Sequence, residues 1–324
     1  KELLLSEQGR ELDELRSGWD IAQEDVTLVR RIDGDVQGAF GEVWSGVWDG
    51  LAVAVKRLRQ EIAAVDDSSL LEFQKEVDVL RRCRHRNIMR FFGAGMYDGL
   101  PFIVCELLEG GALSSYLRRR TPAEVTWAQR LSWCLDIQAG LQFIHTLGRI
   151  HRDVKGGNVL LSGTLRAKVA DLGSMRRLLA GHARLHASDA KRTRAASGSS
   201  DDWVEHTMTS SVGTPLFMAP EMLRAAPYGP SVDVWSFGVV LWEIATHQRP
   251  DLSVFHPDLR WRGPFLACLE RALTAGRRLP LAAEDCPPGY ADLYTRCCQL
   301  VPLSRPTFDE IGDDLAAMAD HVES

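Results

Sequence analysis

The spacing of apolar and polar positions divides the chain into stretches of different texture. Between Glu2 and Arg16, leucines at 3, 4, 5, 12 and 15 alternate with charges. That pattern predicts a short amphipathic helix, read as a strut against the domain rather than the end of a coiled coil. From Val26 to Val55 the chain becomes β-branched and glycine-punctuated. Val43-Trp44-Ser45-Gly46-Val47-Trp48 and Leu51-Ala52-Val53-Ala54-Val55 flank Asp49-Gly50, a two-residue hairpin turn. Asp66 to Arg82 reads as a helix, with Leu70, Leu71, Val77 and Leu80 near one face and Ser68 and Ser69 close to its start. Phe91 to Leu108 returns to strands, broken at Asp98-Gly99. The first third is thus expected to be a small antiparallel sheet carrying one helix.

After Gly110-Gly111 the helical period dominates, over Trp127 to Leu147, Val232 to Thr246, Phe265 to Ala275, Ala291 to Leu300 and Phe308 to His321. Arg176 to Ser211 stands apart: it is rich in Arg, Ala, Ser, Gly and His, and reads as a flexible loop.

Composition narrows the classes. At 324 residues, 45% apolar and 25% charged, the chain suits a globular protein of one large domain or two lobes. A net charge of −6 argues against a nucleic-acid-binding surface. The longest apolar run, Val234 to Ala245, is interrupted by Ser236 and Glu243 and falls short of a membrane span. No basic-then-apolar leader opens the chain, and it starts at Lys1, as expected of a segment from a longer protein. The seven cysteines (83, 105, 134, 268, 286, 297 and 298) are odd in number, form no CxxC pair and sit in apolar runs. They read as reduced thiols of a cytoplasmic or nuclear protein, not a secreted one.

Candidate chemistry appears where charged and small residues interrupt these elements. Gly38-Ala39-Phe40-Gly41-Glu42-Val43 joins two strand-like runs, and such glycines let backbone N–H groups approach phosphate oxygens. Lys56 ends the apolar strand Val53-Ala54-Val55, and Glu76 lies on the following helix, where an inward carboxylate would aim the lysine. The run His151-Arg152-Asp153-Val154-Lys155-Gly156-Gly157-Asn158 precedes Asp171-Leu172-Gly173. In that set Asp153 can accept a hydroxyl proton and Lys155 can steady a transferring phosphoryl group. Asn158 and Asp171 offer the hard oxygens that magnesium prefers. Singly, each is an ordinary loop residue; the ordered set points to phosphoryl transfer.

These motifs resemble the eukaryotic protein kinase superfamily from about Val26 to Ala317. The resemblance runs through Val53-Ala54-Val55-Lys56, Glu76, the His-Arg-Asp loop, Asp171-Leu172-Gly173, Ala219-Pro220-Glu221, Asp233-Val234-Trp235-Ser236-Phe237-Gly238 and Arg305. It implies an α+β, two-lobed kinase fold: a helical flank over 1–25, an N-lobe over 26–108 and a C-lobe over 109–324, with a long activation segment over 171–221. It further implies ATP and Mg2+ as cofactors and protein substrates with Ser/Thr hydroxyls. By carry-over, Lys56 contacts the α- and β-phosphates and pairs with Glu76, and Val36, Gly38 and Gly41 belong to the phosphate loop. Val43, Ala54 and Leu160 sandwich adenine, Cys105 is the gatekeeper, and the backbone of Glu106 and Leu108 holds the purine edge. Leu80, His151 and Leu172 would belong to a spine, Glu221 would pair with Arg305, and Asp233 would brace the catalytic loop.

Two departures stand out. Val36 occupies the place of the loop's first glycine, after an apparent insertion at Asp33-Gly34-Asp35, which puts nucleotide affinity rather than chemistry in question. Leu172 replaces the usual phenylalanine but is also apolar. Lys155 together with Gly213-Thr214-Pro215 resembles serine/threonine kinases. Trp19-Asp20-Ile21, Gly46 to Gly50 and Leu303 to Phe308 most resemble the tyrosine-kinase-like group, which includes Raf and mixed-lineage kinases. Phosphorylation near Thr207, Thr209, Ser210 or Ser211, by an upstream kinase or in trans, is expected to order the loop through Arg152. The competing readings are a nucleotide-binding pseudokinase scaffold and a small-molecule kinase sharing the core.

Overall fold

The computed structural model describes residues 21–32, 41–58, 73, 77–98, 100–177, 215–251 and 265–323. The amphipathic stretch 2–16, the loop residues Val36 and Gly38, Glu76 and the segment 178–214 lie outside them. Two compact units emerge: residues 1–109 with 170–173, and residues 110–169 with 174–324.

The first unit is built on an antiparallel sheet of five strands in the order β1-β2-β3-β5-β4. They are β1 (Val26–Arg31), β2 (Gly41–Trp48), β3 (Leu51–Leu58), β4 (Phe91–Tyr97) and β5 (Leu100–Glu106). Asp49 and Gly50 both take positive φ, 49° and 74°, as a two-residue turn matched to strand twist requires. Alternation then decides the burial: Val53 and Val55 are buried in β3, whereas Ala54 and Lys56 are half-buried. The two valines share a core with Ile21, Val26, Phe102 and Val104. Residues 77–82 are helical, with Val77, Val79 and Leu80 buried.

Ile21 enters this unit through a gap left by glycine. Its N–H donates to the Ala94 carbonyl at 3.2 Å. A Cβ at Gly93 would lie 2.6 Å from the Ile21 side chain, and one at Gly95 would lie 2.2 Å from the Ile21 carbonyl. Gln23 then exchanges two hydrogen bonds with Asp98.

The second unit is mainly helical. Its described helices are α1 (Leu113–Arg118), α2 (Trp127–Thr146), α3 (Pro220–Leu223), α4 (Ser231–Thr246), α5 (Phe265–Thr274), α6 (Tyr290–Cys297) and α7 (Phe308–Glu323). Thr126 caps α2 by accepting from the Gln129 N–H. Thr307 and Glu310 exchange bonds at the start of α7 in a capping box. Every residue of α4 from Val232 to Ala245 is buried, its polar members Asp233, Ser236 and Glu243 included. Helix α4 packs against α2 and α6, and α2 also against α7. Two small antiparallel sheets complete the unit: β6 (Gly111–Ala112), β8 (Val159–Leu161) and β9 (Ala167–Val169), and β7 (Arg149–Ile150) with β10 (Arg176–Arg177).

Helix α6 stops at Cys297, short of the Leu300 expected from its period. Beyond it the Gln299 carbonyl accepts from Arg305 Nε at 2.9 Å, and Pro302 cannot extend a helix.

Candidate active site

In the second unit, the segment between β7 and β8 gathers the charged groups. Asp153 is buried, and its Oδ2 accepts from Lys155 Nζ at 2.8 Å and from Asn158 Nδ2 at 2.7 Å. The other Asn158 N–H reaches the Asp153 carbonyl at 2.8 Å. One carboxylate oxygen is therefore held by a cation and an amide, and such charge-assisted bonds fix its direction. Leu160, two residues beyond Asn158, is half-buried on β8.

The backbone entering this segment is strained. Arg152 has φ 73°, a left-handed conformation that a residue with a Cβ adopts at a cost. Asp233 holds it there: its Oδ1 accepts from the Arg152 N–H and its Oδ2 from the His151 N–H, each at 2.8 Å. His145 Nε2 meets the same Oδ2 at 2.8 Å. Full burial pushes the Asp233 carboxyl upward, but the His145 hydrogen bond, nearby imidazole charge and the His151 amide outweigh it and hold it below the ordinary aspartate range.

In the first unit, Lys56 stands opposite Val43 on β2 and Ile103 on β5. Its Nζ lies 3.2 Å from Asp171 Oδ1. Asp171 also has positive φ, 57°, between buried Ala170 and Leu172, whose packing fixes the turn that presents the carboxylate. Ala54 pairs in register with Cys105, which is buried, while Val43 is half-buried. The Glu106 N–H donates to the Arg90 carbonyl at 2.9 Å. The backbone group Glu106 can still offer a ligand is its carbonyl, which carries two lone pairs. Leu108 is buried just beyond.

Of the expected site residues, Asp153, Lys155 and Asn158 come together in one unit and Lys56 and Asp171 in the other. The Lys56–Asp171 pair has no local signal in the sequence, since 115 residues separate its members. The Lys56–Glu76 pair and the Val36 and Gly38 positions lie outside the described residues. Sequence reasoning also misses Glu243, whose carboxylate accepts from the Gly156 N–H across 87 residues.

Each unit offers an oxygen donor of the kind magnesium takes. In the second unit both side-chain N–H groups of Asn158 are committed to Asp153, which leaves the amide Oδ1 as its donor atom; in the first unit Asp171 carries a carboxylate. Among the described residues no three His, Cys, Asp or Glu side chains gather as a metal cage.

A sheet carrying a lysine and a helical unit carrying an Asp-Lys-Asn constellation supply the residue types that phosphoryl transfer requires. The family model described as protein tyrosine and serine/threonine kinase matches residues 33–315, and the chain belongs to that family. It has the α+β kinase fold and is a protein kinase domain, of a family that uses ATP and acts on proteins.

The chain is 33% identical over 276 residues to serine/threonine/tyrosine-protein kinase HT1 of Arabidopsis thaliana, covering 85% of this chain and 62% of that protein. It is 32% identical over 296 residues to the probable serine/threonine-protein kinase drkD of Dictyostelium discoideum, covering 90% and 20% respectively. To the RGS domain-containing serine/threonine-protein kinase A of the same organism it is 30% identical over 302 residues, covering 92% and 23%. The chain thus spans only part of the length of these relatives. Among the described residues, no helix is long and apolar enough to cross a membrane.

Proposed function

We propose that this domain transfers the γ-phosphoryl group of Mg-ATP to serine and threonine hydroxyls of protein substrates. The observation that carries the reading is the Asp153 carboxylate, one oxygen of which is fixed by both Lys155 and Asn158. Its other oxygen is the acceptor for the proton of the incoming hydroxyl. Lys155 steadies the transferring group, and Lys56 neutralises the α- and β-phosphates. Asn158 Oδ1 and the Asp171 carboxylate hold the magnesium, which when bound neutralises charge on the phosphate oxygens. Val43, Ala54, Leu160 and Cys105 enclose the adenine, with the Glu106 carbonyl and Leu108 at its edge.

The relatives' printed names support serine/threonine specificity, and that of HT1 leaves room for tyrosine as well. The sequence resemblance to the tyrosine-kinase-like group, a cytoplasmic or nuclear location, and regulation by phosphorylation in the activation segment belong to the same proposal. Incubation with Mg-ATP and a general protein acceptor, followed by phosphoamino-acid analysis, tests it. Phosphoserine and phosphothreonine are expected, and an absence of transfer would leave only nucleotide or partner binding.

A further inference from the structure

We infer that Glu243 is a positioning residue for the catalytic loop, holding its Gly156 end as Asp233 holds its His151–Arg152 end; the inference rests on the kinase reading of the site. Glu243 lies on α4 and is 3% exposed. The Gly156 N–H donates to Glu243 Oε2 at 3.1 Å. A carboxylate buried this deeply is unfavourable unless hydrogen bonds satisfy it, so the contact is directional and not mere filling.

The two glycines after Lys155 have different reasons to be glycine. A Cβ on Gly156 would lie 2.3 Å from Glu243 Oε2 and 2.8 Å from its Cδ, so no side chain fits while the carboxylate is in place. A Cβ on Gly157 would meet nothing nearer than 3.8 Å. The first glycine is dictated by Glu243, and the second is not.

One helix therefore grips the loop at two points. Glu243 follows Asp233 by ten positions on α4, a rise of about 15 Å. Arg152 and Gly156 are four positions apart, so the two grips fall on one short segment of the loop. Lys155 sits immediately before the pinned amide, and the Asn158 N–H bonds back to the Lys155 carbonyl at 2.9 Å. Both groups that fix Asp153 Oδ2 thus hang from the piece of backbone Glu243 restrains. Lys56 and Asp171 belong to the other unit. Loosening this grip is expected to lower kcat while leaving the KM for ATP nearly unchanged.

The test uses the whole chain with three variants, Glu243→Ala, Glu243→Gln and Gly156→Ala, each checked for cooperative unfolding. Glu243→Ala and Gly156→Ala should lower kcat at least tenfold with the KM for ATP within twofold. Glu243→Gln, which keeps an acceptor oxygen, should stay within about threefold of the parent. In parallel, hydrogen exchange at the Gly156 amide should speed up at least tenfold in Glu243→Ala and little in Glu243→Gln. If Glu243→Ala does not fold, the Gly156→Ala and Glu243→Gln pair carries the same comparison. Parental kcat in folded Gly156→Ala or Glu243→Ala, or unchanged exchange at Gly156, overturns the inference. If the parent transfers no phosphate, the proposed function falls, and exchange at Gly156 still decides the role of Glu243.

Discussion

Arg305 and Glu221 meet face to face, Nη1 on Oε1 at 2.5 Å and Nη2 on Oε2 at 2.9 Å, across 84 residues of sequence. The arginine side chain is fully buried and also donates to the carbonyls of Ser231 and Gln299. Breaking such a pair leaves a buried charge without its partner. Arg305→Ala and Glu221→Ala should each destabilise the second unit by about 3 kcal/mol. Urea unfolding measures it, and a loss below about 1 kcal/mol for both would show the pair to be dispensable.

Asp153→Asn keeps the shape of the side chain but removes the basic oxygen. The expected outcome is a fall in kcat of about 10²- to 10⁴-fold with little change in thermal stability. Steady-state kinetics on a generic protein acceptor checks it. Full activity would remove Asp153 from the proposed chemistry.

Stability should depend on pH through Asp233. Its folded carboxyl titrates below the ordinary range, so the unfolded chain takes up this proton first as pH falls. The contribution is fully present above the unfolded value of about 4 and is lost as pH drops from there through the lower folded value. Asp233→Asn should therefore cost most at pH 7, with the gap from the parent narrowing below pH 4. Urea titrations at pH 7 and pH 3 read this directly, and a gap that stays constant would contradict it.

Gly95 is fixed by the chain crossing over it. An added Cβ would meet the Ile21 carbonyl at 2.2 Å and the Phe102 ring at 2.7 Å, both in packed surroundings. Gly95→Ala should destabilise the first unit by about 2 kcal/mol. Thermal unfolding of the variant tests this. An unchanged midpoint would mean that the Ile21 segment yields without cost.

How much of the molecule is legible in its sequence depends on sequence distance. Asp49-Gly50 announces its turn because both φ requirements are local to two residues. Helix α4 announces itself by length and apolarity, yet Glu243 registers only as an interruption in that run. Its partner Gly156 lies 87 residues earlier, and no spacing rule links a helix carboxylate to a loop amide. Asp153, Lys155 and Asn158 are readable because they share one short segment. Lys56 and Asp171 are each readable, but their contact is not, since tertiary structure alone brings them together.

Helix α4 also has a consequence for how the chain is made. With every residue from Val232 to Ala245 inside, it turns no face to water in the folded unit. Its cover comes partly from α2, made before it, and partly from α6, made after it. A growing chain therefore carries this helix only partly covered until Tyr290–Cys297 has been synthesised. During the interval between those two helices the apolar surface that α6 later covers is open to misassembly.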